Sequence, residues 1–496
     1  MTKHYLPTLI LLLMSVRSLL AISFTNPILP YDYSDPDVCR VGDTYLLTSS
    51  SFNNIPGLQI LASTDLIHWE IVDAALPYKV PDYEEGCLVK GNFVWAPSIR
   101  EHDGKLYIFY GDPDRGIYCV RADISKGLHF PLAWEEAVLV MPAKGYIDPC
   151  PLWDEDGRVW LCHALAGSRA GLKSVIMMAE LNADALSVKV PSRIIFDGHK
   201  EHPTCEGPKL YKRNGYYYIM HPAGGVEKGW QVVQRSKNIY GPYELKVTLQ
   251  QAGTDINGPH QGAWVETPQG ESWFFHFQDV GVAGRLVHLQ PVKWVEDWPV
   301  MGYEGQPIRT FGDNNSKQPT WANFMRRDDF SDTKLALDWQ FAGGYVNPKW
   351  YFCDAAHSML RLYSYPVNEE LMPNMLLQKI PATAFTATAR IRFTPNPDKK
   401  MVGAEKAGLV VFGRKSFTLE APGNGEWTFL RLQMNDKQQG QFFRSNDGEH
   451  WDAVGEVFQA VEGHWTGAQV GLFCSRDNRT INDSGFLDID WFEIRP

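Results

Sequence analysis

The sequence predicts an all-β fold, a five-bladed β-propeller followed by a β-sandwich. Three observations lead to this prediction. Five stretches within the first 300 residues share a short strand, a tight turn of the Asp-Gly or Asn-Gly type and an aromatic second strand. Their turns recur roughly every 53 to 61 residues, a spacing close to that of propellers and other repeat folds. After about residue 325 this repeat gives way to a different series of strands.

Each repeat fits one blade of about four antiparallel strands. The segments between turns are rich in Val, Ile, Tyr, Phe and Trp and have weak helical periodicity, which favours strands. Every repeat carries an acidic residue, a tryptophan or a histidine eight to ten positions before its turn, and we call these five the special residues. These residues are Asp35, Trp95, Asp148, Glu206 and His260.

A propeller gathers these five residues around one axis, because the first strand of each blade lies next to that axis. Residues at one end of those strands must converge, although they are far apart in sequence. The sequence therefore predicts a polar, carboxylate-rich pocket. A single Asp-Pro or Asn-Gly pair usually caps a turn, and only its recurrence at equivalent positions favours a shared site.

Residues 1–21 are typical of a signal peptide. Lys3 and His4 precede an apolar run from Leu6 to Val16, and Ala21 offers a small residue for cleavage. We therefore expect export, to the periplasm or the medium. An uncleaved anchor is the alternative, but the run is shorter than the roughly 20 residues that span a bilayer, so we expect no stable membrane insertion.

Composition excludes several classes of partner. The net charge is −11 and no basic run is present, which makes nucleic acid an unsuitable partner.

Eight cysteines contain no C-x-x-C pair, so neither a zinc site nor a disulfide scaffold is predicted. Export would allow Cys353 and Cys474 to pair. The oligomeric state stays open.

The change of pattern places a domain boundary near residue 325. We expect a propeller at 24–310, a linker at 311–325 and a β-sandwich accessory domain at 326–496. The linker is rich in Asn, Asp and Ser. Trp350 and Trp451 in the accessory domain either bind sugar or fill its core, and the core is favoured.

Three carboxylates in one pocket suit the hydrolysis of a glycosidic bond. One carboxylic acid protonates the leaving oxygen, and one carboxylate attacks the sugar or activates water. The third can tune the others, because a like charge raises the pKa of its neighbour. Spacing alone does not assign these roles among Asp35, Asp148 and Glu206.

Several separated motifs surround these carboxylates in a fixed order. They are Asn26-Pro27-Ile28-Leu29, Ser34-Asp35-Pro36-Asp37, Ser63-Thr64-Asp65, His68-Trp69, Val94-Trp95-Ala96-Pro97-Ser98, Ile147-Asp148-Pro149, Glu206-Gly207-Pro208 and Tyr240-Gly241-Pro242-Tyr243-Glu244. Over roughly residues 24 to 310 the chain resembles glycoside hydrolase family 43, of the beta-xylosidase and alpha-L-arabinofuranosidase type. The region after it resembles the concanavalin-like β-sandwich that follows the propeller in many pentose-releasing members.

The resemblance implies one role for each carboxylate. Asp35 would be the general base that activates water, Glu206 the general acid and Asp148 the pKa modulator that also orients the acid. Members of the family invert anomeric configuration, so base and acid should stand about 6.5 to 9.5 Å apart. Ile147 departs from the aromatic residue that some xylosidases carry before the modulator.

The resemblance also implies contacts with the sugar. Phe52 and Trp95 would form aromatic walls, and Arg285 would contact the sugar near the modulator, although ordinary packing would explain all three. His260 would support the axis. No cofactor is required, and a structural calcium near His260 is the metal that the resemblance allows, largely hydrated because calcium prefers oxygen ligands.

These features predict an inverting, exo-acting hydrolase that releases terminal alpha-L-arabinofuranosyl or beta-D-xylosyl residues from plant cell-wall polysaccharides, xylan among them, or from their oligosaccharides. A sandwich loop over the pocket would favour chain ends. The alternatives are an endo-arabinanase-like hydrolase and a non-catalytic carbohydrate-binding propeller. A retaining fructan-cleaving propeller would need a Trp-Met-Asn-Asp-Pro-Asn segment where this chain has Tyr33-Ser34-Asp35-Pro36-Asp37. The preferred sugar, the parent polysaccharide and glycan binding by the second domain stay open.

Overall fold

The computed structural model describes residues 22–83, 91–312, 326–366, 374–398, 403–477 and 483–496. The predicted signal peptide and residues 313–325 of the predicted linker lie outside this part. The described residues are almost entirely β-structure, as the sequence predicts. The helical elements among them are short: α1 (Gly167–Ala170) and two 3-10 turns at Gly281–Ala283 and Ala355–His357.

The N-terminal region forms five four-stranded antiparallel sheets, each built from strands that are consecutive in the chain. After β1 (Phe24–Thr25), the first two sheets are β2 (Asp37–Val41), β3 (Thr44–Thr48), β4 (Gly57–Ser63) and β5 (Glu70–Leu76), then β6 (Trp95–His102), β7 (Lys105–Asp112), β8 (Gly116–Asp123) and β9 (Val138–Pro142). The third and fourth are β10 (Tyr146–Trp153), β11 (Val159–Leu165), β12 (Val175–Leu181) and β13 (Val188–Asp197), then β14 (Lys209–Arg213), β15 (Tyr216–Ala223), β16 (Trp230–Ser236) and β17 (Glu244–Gln250). The fifth is β18 (His260–Glu266), β19 (Ser272–Asp279), β20 (Arg285–Val295) and β21 (Trp298–Met301).

The predicted hairpin turns lie between the first two strands of the sheets. Gly157 and Gly215 occupy two of them with φ of 81° and 75°, and a Cβ on either would meet nothing within 4 Å. Glycine is therefore favoured there for its backbone conformation and not for packing.

The five sheets contact one another in cyclic order. Strand β2 contacts β6, β6 contacts β10, β10 contacts β14, and β18 contacts both β2 and the fourth sheet. Buried apolar clusters fill the gaps between neighbouring sheets. Between the fifth and first sheets, for example, the rings of Trp69 and Phe275 lie 5.8 Å apart. Strand β22 (Thr310–Phe311) pairs with β1, so the end of this region returns to its beginning.

The C-terminal region forms two β-sheets around one apolar core, which confirms the predicted sandwich. Its strands are β23 (Arg327–Asp328), β24 (Gln340–Phe341), β25 (Tyr351–Asp354), β26 (Met359–Tyr363), β27 (Tyr365–Pro366), β28 (Leu376–Lys379), β29 (Phe385–Thr394), β30 (Glu405–Phe412), β31 (Phe417–Glu420), β32 (Trp427–Met434), β33 (Gln439–Ser445), β34 (Asp452–Gln459), β35 (Gln469–Arg476) and β36 (Phe486–Arg495). One sheet has the order β25-β26-β36-β29-β32-β33-β34 with β23 beside β36, and the other has the order β24-β28-β35-β30-β31 with β27 beside β35.

The structure shows where Trp350, Trp451 and the two cysteines of the sandwich lie. Trp350 is 3% exposed and belongs to the core, so the favoured packing role is confirmed for it. Trp451 is half-buried, with the Arg431 guanidinium 3.6 Å from its ring centre. Cys353 and Cys474 are free thiols on strands of different sheets, so the structure does not contain the pairing that export would allow.

The two regions pack directly on each other. Ile55 and Phe341 exchange two backbone hydrogen bonds, and Lys379 Nζ donates to the Asp32 carbonyl over 2.6 Å. Ala468 N donates to the Val282 carbonyl over 2.7 Å. The contact of Ala468, together with a hydrogen bond from Ser34 Oγ to the Trp465 carbonyl, holds segment 461–468 of the sandwich against the N-terminal region. In the described part of the chain, no helix is long and apolar enough to cross a membrane.

Candidate active site

The first strands bring four of the five special residues together. Asp35 precedes β2, Asp148 lies in β10, Glu206 precedes β14 and His260 begins β18. His260 Nε2 lies 2.9 Å from Glu206 Oε1, and Gly207 N donates to Asp148 Oδ2 over 2.8 Å. Asp35 interacts electrostatically with Glu206 and with His260. Asp35, Asp148, Glu206 and His260 therefore form one cluster.

The backbone explains how these side chains are aimed. Each sheet has one residue of positive φ at this point, and four of the five precede a proline; they are Asp35 (55°), Ala96 (36°), Asp148 (57°), Gly207 (57°) and Gln261 (20°). The strand register shifts at the same point in the second, third and fifth sheets. Such bulges redirect side chains and are common beside functional sites.

This repeated position corrects the alignment made from the turns. It coincides with Asp35 and Asp148, but it follows Trp95, Glu206 and His260 by one residue. Counting back from the turn thus places Trp95, Glu206 and His260 to within one residue of the repeated position. The recurring X-Pro pairs at Pro36, Pro97, Pro149 and Pro208 were the signal that could have fixed the register.

Gly207 joins three sheets at this level. A Cβ on it would lie 2.3 Å from Gln261 Cγ, and its φ of 57° is one that residues with a Cβ adopt reluctantly. Its N–H is the donor to Asp148. Glycine is therefore the residue that fits at position 207, next to Gln261 and with its N–H bound to Asp148.

The two oxygens of Asp35 have different environments. Oδ2 accepts a hydrogen bond from Ser50 Oγ at 2.5 Å. Oδ1 lies 3.6 Å from Arg285 Nη1 and has no hydrogen-bond partner among the described residues. Burial raises the pKa of Asp35, while the Arg285 charge and the Ser50 hydroxyl act in the opposite direction. Each oxygen of this buried carboxylate thus faces a different group.

Asp148 is 5% exposed and has a strongly perturbed carboxyl group. Burial raises its pKa well above the usual range, the negative charge of Glu206 adds to the effect, and the Gly207 N–H opposes it. Asp148 and Glu206 are therefore electrostatically coupled, with the hydrogen bond to Gly207 as the physical link between their segments.

Glu206 is the most exposed of the three carboxylates, with 32% of its side chain accessible. His260 is fully buried, and its Nδ1 has no partner in the described part of the chain. We assign the ring proton to Nε2, which then donates to Glu206 Oε1. This arrangement leaves Glu206 Oε2 outside the bond to His260.

Aromatic side chains line one side of the pocket. Phe52 and Trp95 make an edge-to-face contact with ring centres 6.5 Å apart, and Val94 pairs with Phe52 through the backbone. Trp95 also meets Trp465 of the sandwich, with ring centres 6.2 Å apart. Trp465 is 46% exposed, and its carbonyl accepts a hydrogen bond from Ser34 Oγ. Sequence reasoning missed Trp465, because nothing in the sequence relates residue 465 to residue 95.

Arg285 lies closer to Asp35 than the sequence suggested. Its Nη1 is 3.6 Å from Asp35 Oδ1 and its Nε is 3.6 Å from Asp279 Oδ2. It also lines a cavity of about 410 Å³ between the two regions. The other lining residues are Val226, Glu227, Asp279, Gly281, Gly284, Arg414, Glu462, Gly463, Trp465 and Thr466.

The surroundings of His260 are a poor donor set for calcium. Its Nε2 faces Glu206, and calcium prefers oxygen ligands. Within the residues described, no group of three or more His, Cys, Asp or Glu side chains is arranged to hold a metal ion. The calcium that the resemblance allows stays a prediction, and no chemical step is assigned to it.

Comparison with known families identifies both regions. The family model for "Glycosyl hydrolases family 43" matches residues 24–299. The model for "Beta xylosidase C-terminal Concanavalin A-like domain" matches residues 327–421 and 415–495. Asp35, Asp148 and Glu206 all fall within the first match.

Individual relatives extend over nearly the whole chain. A Xylanibacter ruminicola protein whose name places it among the beta-xylosidases is 34% identical, covering 88% of this chain and 84% of that protein. A non-reducing end alpha-L-arabinofuranosidase from Bacteroides ovatus is 29% identical, covering 98% and 97%. A solved structure of a bifunctional GH43-CE protein from Bacteroides eggerthii superposes with a TM-score of 0.81 at 25% identity, covering 96% of this chain and 64% of that one.

Proposed function

The chain is a glycosidase of glycosyl hydrolase family 43, and from that premise we propose that it is an inverting, exo-acting enzyme. It would release terminal alpha-L-arabinofuranosyl or beta-D-xylosyl residues from plant cell-wall polysaccharides or their oligosaccharides. The observation that carries this proposal is one cluster of three carboxylates, in which Asp35, Asp148 and Glu206 act on one another electrostatically and Glu206 is held by His260.

In this proposal the five sheets are the five blades of a propeller, spanning 24–310. A linker at 311–325 and the β-sandwich at 326–496 follow. The cyclic contacts between sheets and the pairing of β1 with β22 support this arrangement, because a propeller closes by joining the two ends of its chain.

Asp35 is the general base. The Ser50 hydroxyl and the Arg285 charge both favour its ionised form, which is the form that accepts a proton. Abstraction of a proton from that water lets the water oxygen attack the anomeric carbon from the face opposite the leaving group. Single displacement of this kind inverts the configuration.

Glu206 is the general acid, and a proton on Oε2 would pass to the leaving oxygen. Its larger exposure suits a group that must reach the bond being broken. Asp148 is the modulator, since its carboxylate binds the N–H of the residue that follows Glu206. His260 holds Oε1 and thereby fixes the direction of the acid.

The shape of the pocket supports action at chain ends. Segment 461–468 of the sandwich is attached to the first region by Ser34 and Val282 and presents Trp465 beside Trp95. The cavity beside it has a volume of about 410 Å³, suited to a few sugar units and not to a long chain. Segment 461–468 would obstruct a long polysaccharide chain, which disfavours the open cleft of an endo-arabinanase-like hydrolase.

The names of relatives include both candidate sugars. One relative is a beta-xylosidase by name and another is an alpha-L-arabinofuranosidase. Phe52 and Trp95 would contact the apolar face of either pentose, and Arg285 would donate to a hydroxyl group. Export through the N-terminal segment would bring the enzyme to such polysaccharides.

The proposal is tested by hydrolysis of an aryl beta-D-xylopyranoside and an aryl alpha-L-arabinofuranoside by the purified protein and by its Glu206→Gln variant. We expect release from at least one substrate by the wild type and a loss in the variant that grows as the leaving group becomes poorer. A protein that binds pentose oligosaccharides but never turns them over would be the non-catalytic propeller, and the proposal would fail.

A further inference from the structure

The hydroxyl group of Ser50 lies between Asp35 and the backbone of the second sheet. Its Oγ is 2.5 Å from Asp35 Oδ2 and 2.7 Å from Ala96 N. The residue is 5% exposed, and its backbone N–H donates to the Ser34 carbonyl over 2.9 Å. Ser50 is therefore fixed both through its main chain and through its side chain.

The hydrogen-bond directions at Ser50 follow from its partners. A backbone N–H can only donate, so the Ala96 N–H must use a lone pair of Ser50 Oγ. The single hydroxyl hydrogen is then directed at Asp35 Oδ2, an acceptor when the carboxyl is ionised. The contact is charge-assisted, and such bonds are shorter and stronger than neutral ones.

We propose that Ser50 is a positioning residue for the base: by binding Asp35 Oδ2 it fixes the orientation in which the buried carboxylate meets the attacking water. This inference rests on the proposed function of Asp35. Oδ2 is occupied by Ser50, while Oδ1 has only the Arg285 guanidinium at 3.6 Å. Ser50 is thus the side chain whose hydrogen bond holds the Asp35 carboxylate in place.

Ser50 also binds two residues whose backbone has positive φ. Asp35 and Ala96 both have positive φ, at 55° and 36°, a conformation that costs energy for residues other than glycine. Ser50 is hydrogen-bonded to both residues. Ser50 therefore links Asp35 to the segment that carries Trp95. In the proposed enzyme this link would keep Asp35 and Trp95 at fixed positions relative to the sugar.

The charged groups around Asp35 set the expected pH effect. Arg285 and His260 favour its ionised form, and Glu206 disfavours it. The Ser50 hydroxyl also favours the ionised form. Removal of the hydroxyl leaves the other three in place and raises the pKa of Asp35, so the acidic limb of kcat/KM moves to higher pH.

The test compares Ser50→Ala, Ser50→Thr and a matched control, Ser272→Ala. Ser272 is 7% exposed and, like Ser50, donates to a carboxylate, Glu266, while accepting an N–H, here from Trp294. In Ser50→Ala we expect kcat to fall about 10- to 100-fold with KM within about twofold of wild type, together with the shifted acidic limb. Ser50→Thr should recover most of kcat, and Ser272→Ala should change neither kcat nor the pH profile.

A crystal structure of Ser50→Ala supplies a readout that does not depend on turnover. We expect the Asp35 carboxylate to rotate away from its wild-type orientation. An unrotated carboxylate, or a kcat and acidic limb equal to wild type, would overturn the inference. A wild-type protein without hydrolytic activity would instead refute the proposed function, and the orientation of Asp35 in the variant would still decide whether Ser50 positions it.

Discussion

His260 donates its Nε2 hydrogen to Glu206 Oε1 over 2.9 Å, and the ring that makes this bond is completely buried. The histidine begins the first strand of the fifth sheet, whereas the glutamate precedes the first strand of the fourth. One hydrogen bond between neighbouring sheets thus fixes which carboxylate oxygen of the acid is available.

Replacement of Glu206 by Gln should remove the proton that leaves with the departing group. We predict that kcat falls about 1000-fold or more on a xylo- or arabino-disaccharide and much less on an aryl glycoside with a good leaving group, which needs little protonation. Initial rates on a series of aryl glycosides measure this. Equal losses across the series would remove the acid role from Glu206.

Replacement of His260 by Ala should loosen Glu206 without removing it. We expect kcat to fall about 10- to 100-fold, less than for Glu206→Gln, because the acid keeps its proton but loses its direction. Steady-state kinetics of both variants on the same disaccharide give the comparison. A His260→Ala enzyme with wild-type kcat would show that the 2.9 Å contact has no part in turnover.

Replacement of Asp35 by Asn should abolish activation of water while leaving the pocket occupied. We predict a loss of about 1000-fold or more in kcat, with disaccharide affinity by calorimetry within about threefold of wild type. Asp279→Asn is a useful control, since Asp279 also faces Arg285 but lies away from Ser50. A comparable loss in that control would indicate that the Arg285 charge balance, and not the base, was disturbed.

Trp465 should contribute to binding and not to the chemical step. Because the side chain is 46% exposed, Trp465→Ala should leave thermal stability close to wild type. We expect KM for a disaccharide to rise about 10-fold and kcat to change by less than about threefold. An unchanged KM would show that the Trp465 side chain does not contact the substrate.

A set of buried histidines predicts sensitivity to acid. His163, His221 and His276 each lie six residues after a turn glycine, and burial lowers the pKa of each to about 4. In each ring Nδ1 faces the carbonyl of the next residue, and Nε2 faces a polar side chain on a later strand of the same sheet; these partners are Ser192, Gln234 and Gln290.

The sign of the pH effect follows from those shifts. The folded-state pKa lies below the unfolded value of about 6.5, so the stability that neutral histidine contributes is present above that pH and is lost as pH falls towards 4. Each ring contributes up to about 1.4 kcal/mol of unfolding free energy per pH unit in that window. The raised pKa values of Asp35 and Asp148 oppose this loss.

Urea unfolding of the wild type between pH 7.5 and 4.5 measures the effect. We expect the free energy of unfolding to decrease from about pH 6.5 downwards. The His221→Gln variant, which removes one of the three buried rings, should show a shallower decrease. Equal slopes for the two proteins would mean that His221 does not titrate on unfolding.

Much of this site could be predicted from the sequence because it is built on a repeat. The recurring turns located Asp35, Asp148, Glu206 and His260 on first strands, and the structure brings them together. The exact register was not predictable from turn spacing, since the number of residues between turn and site differs from one sheet to another. Local backbone irregularity has no simple sequence period.

The remaining residues depend on contacts between distant segments. Ser50 is one of three consecutive serines, and only its position between Asp35 and Ala96 distinguishes it from its neighbours. Trp465 reaches the pocket because the sandwich packs on the first region. Arg285 was expected beside the sugar, but its pairing with Asp35 requires the fifth sheet to meet the first.

The most direct test of the proposed mechanism is proton NMR of the sugar at the moment it is released from an aryl beta-D-xylopyranoside, or from the alpha-L-arabinofuranoside if that is the better substrate. Water activated by Asp35 opposite Glu206 must give the inverted sugar first, alpha-D-xylose or beta-L-arabinose, before mutarotation mixes the anomers. First appearance of the anomer with the configuration of the substrate would mean a double displacement, and the assignment of Asp35 as a base acting through water would be contradicted.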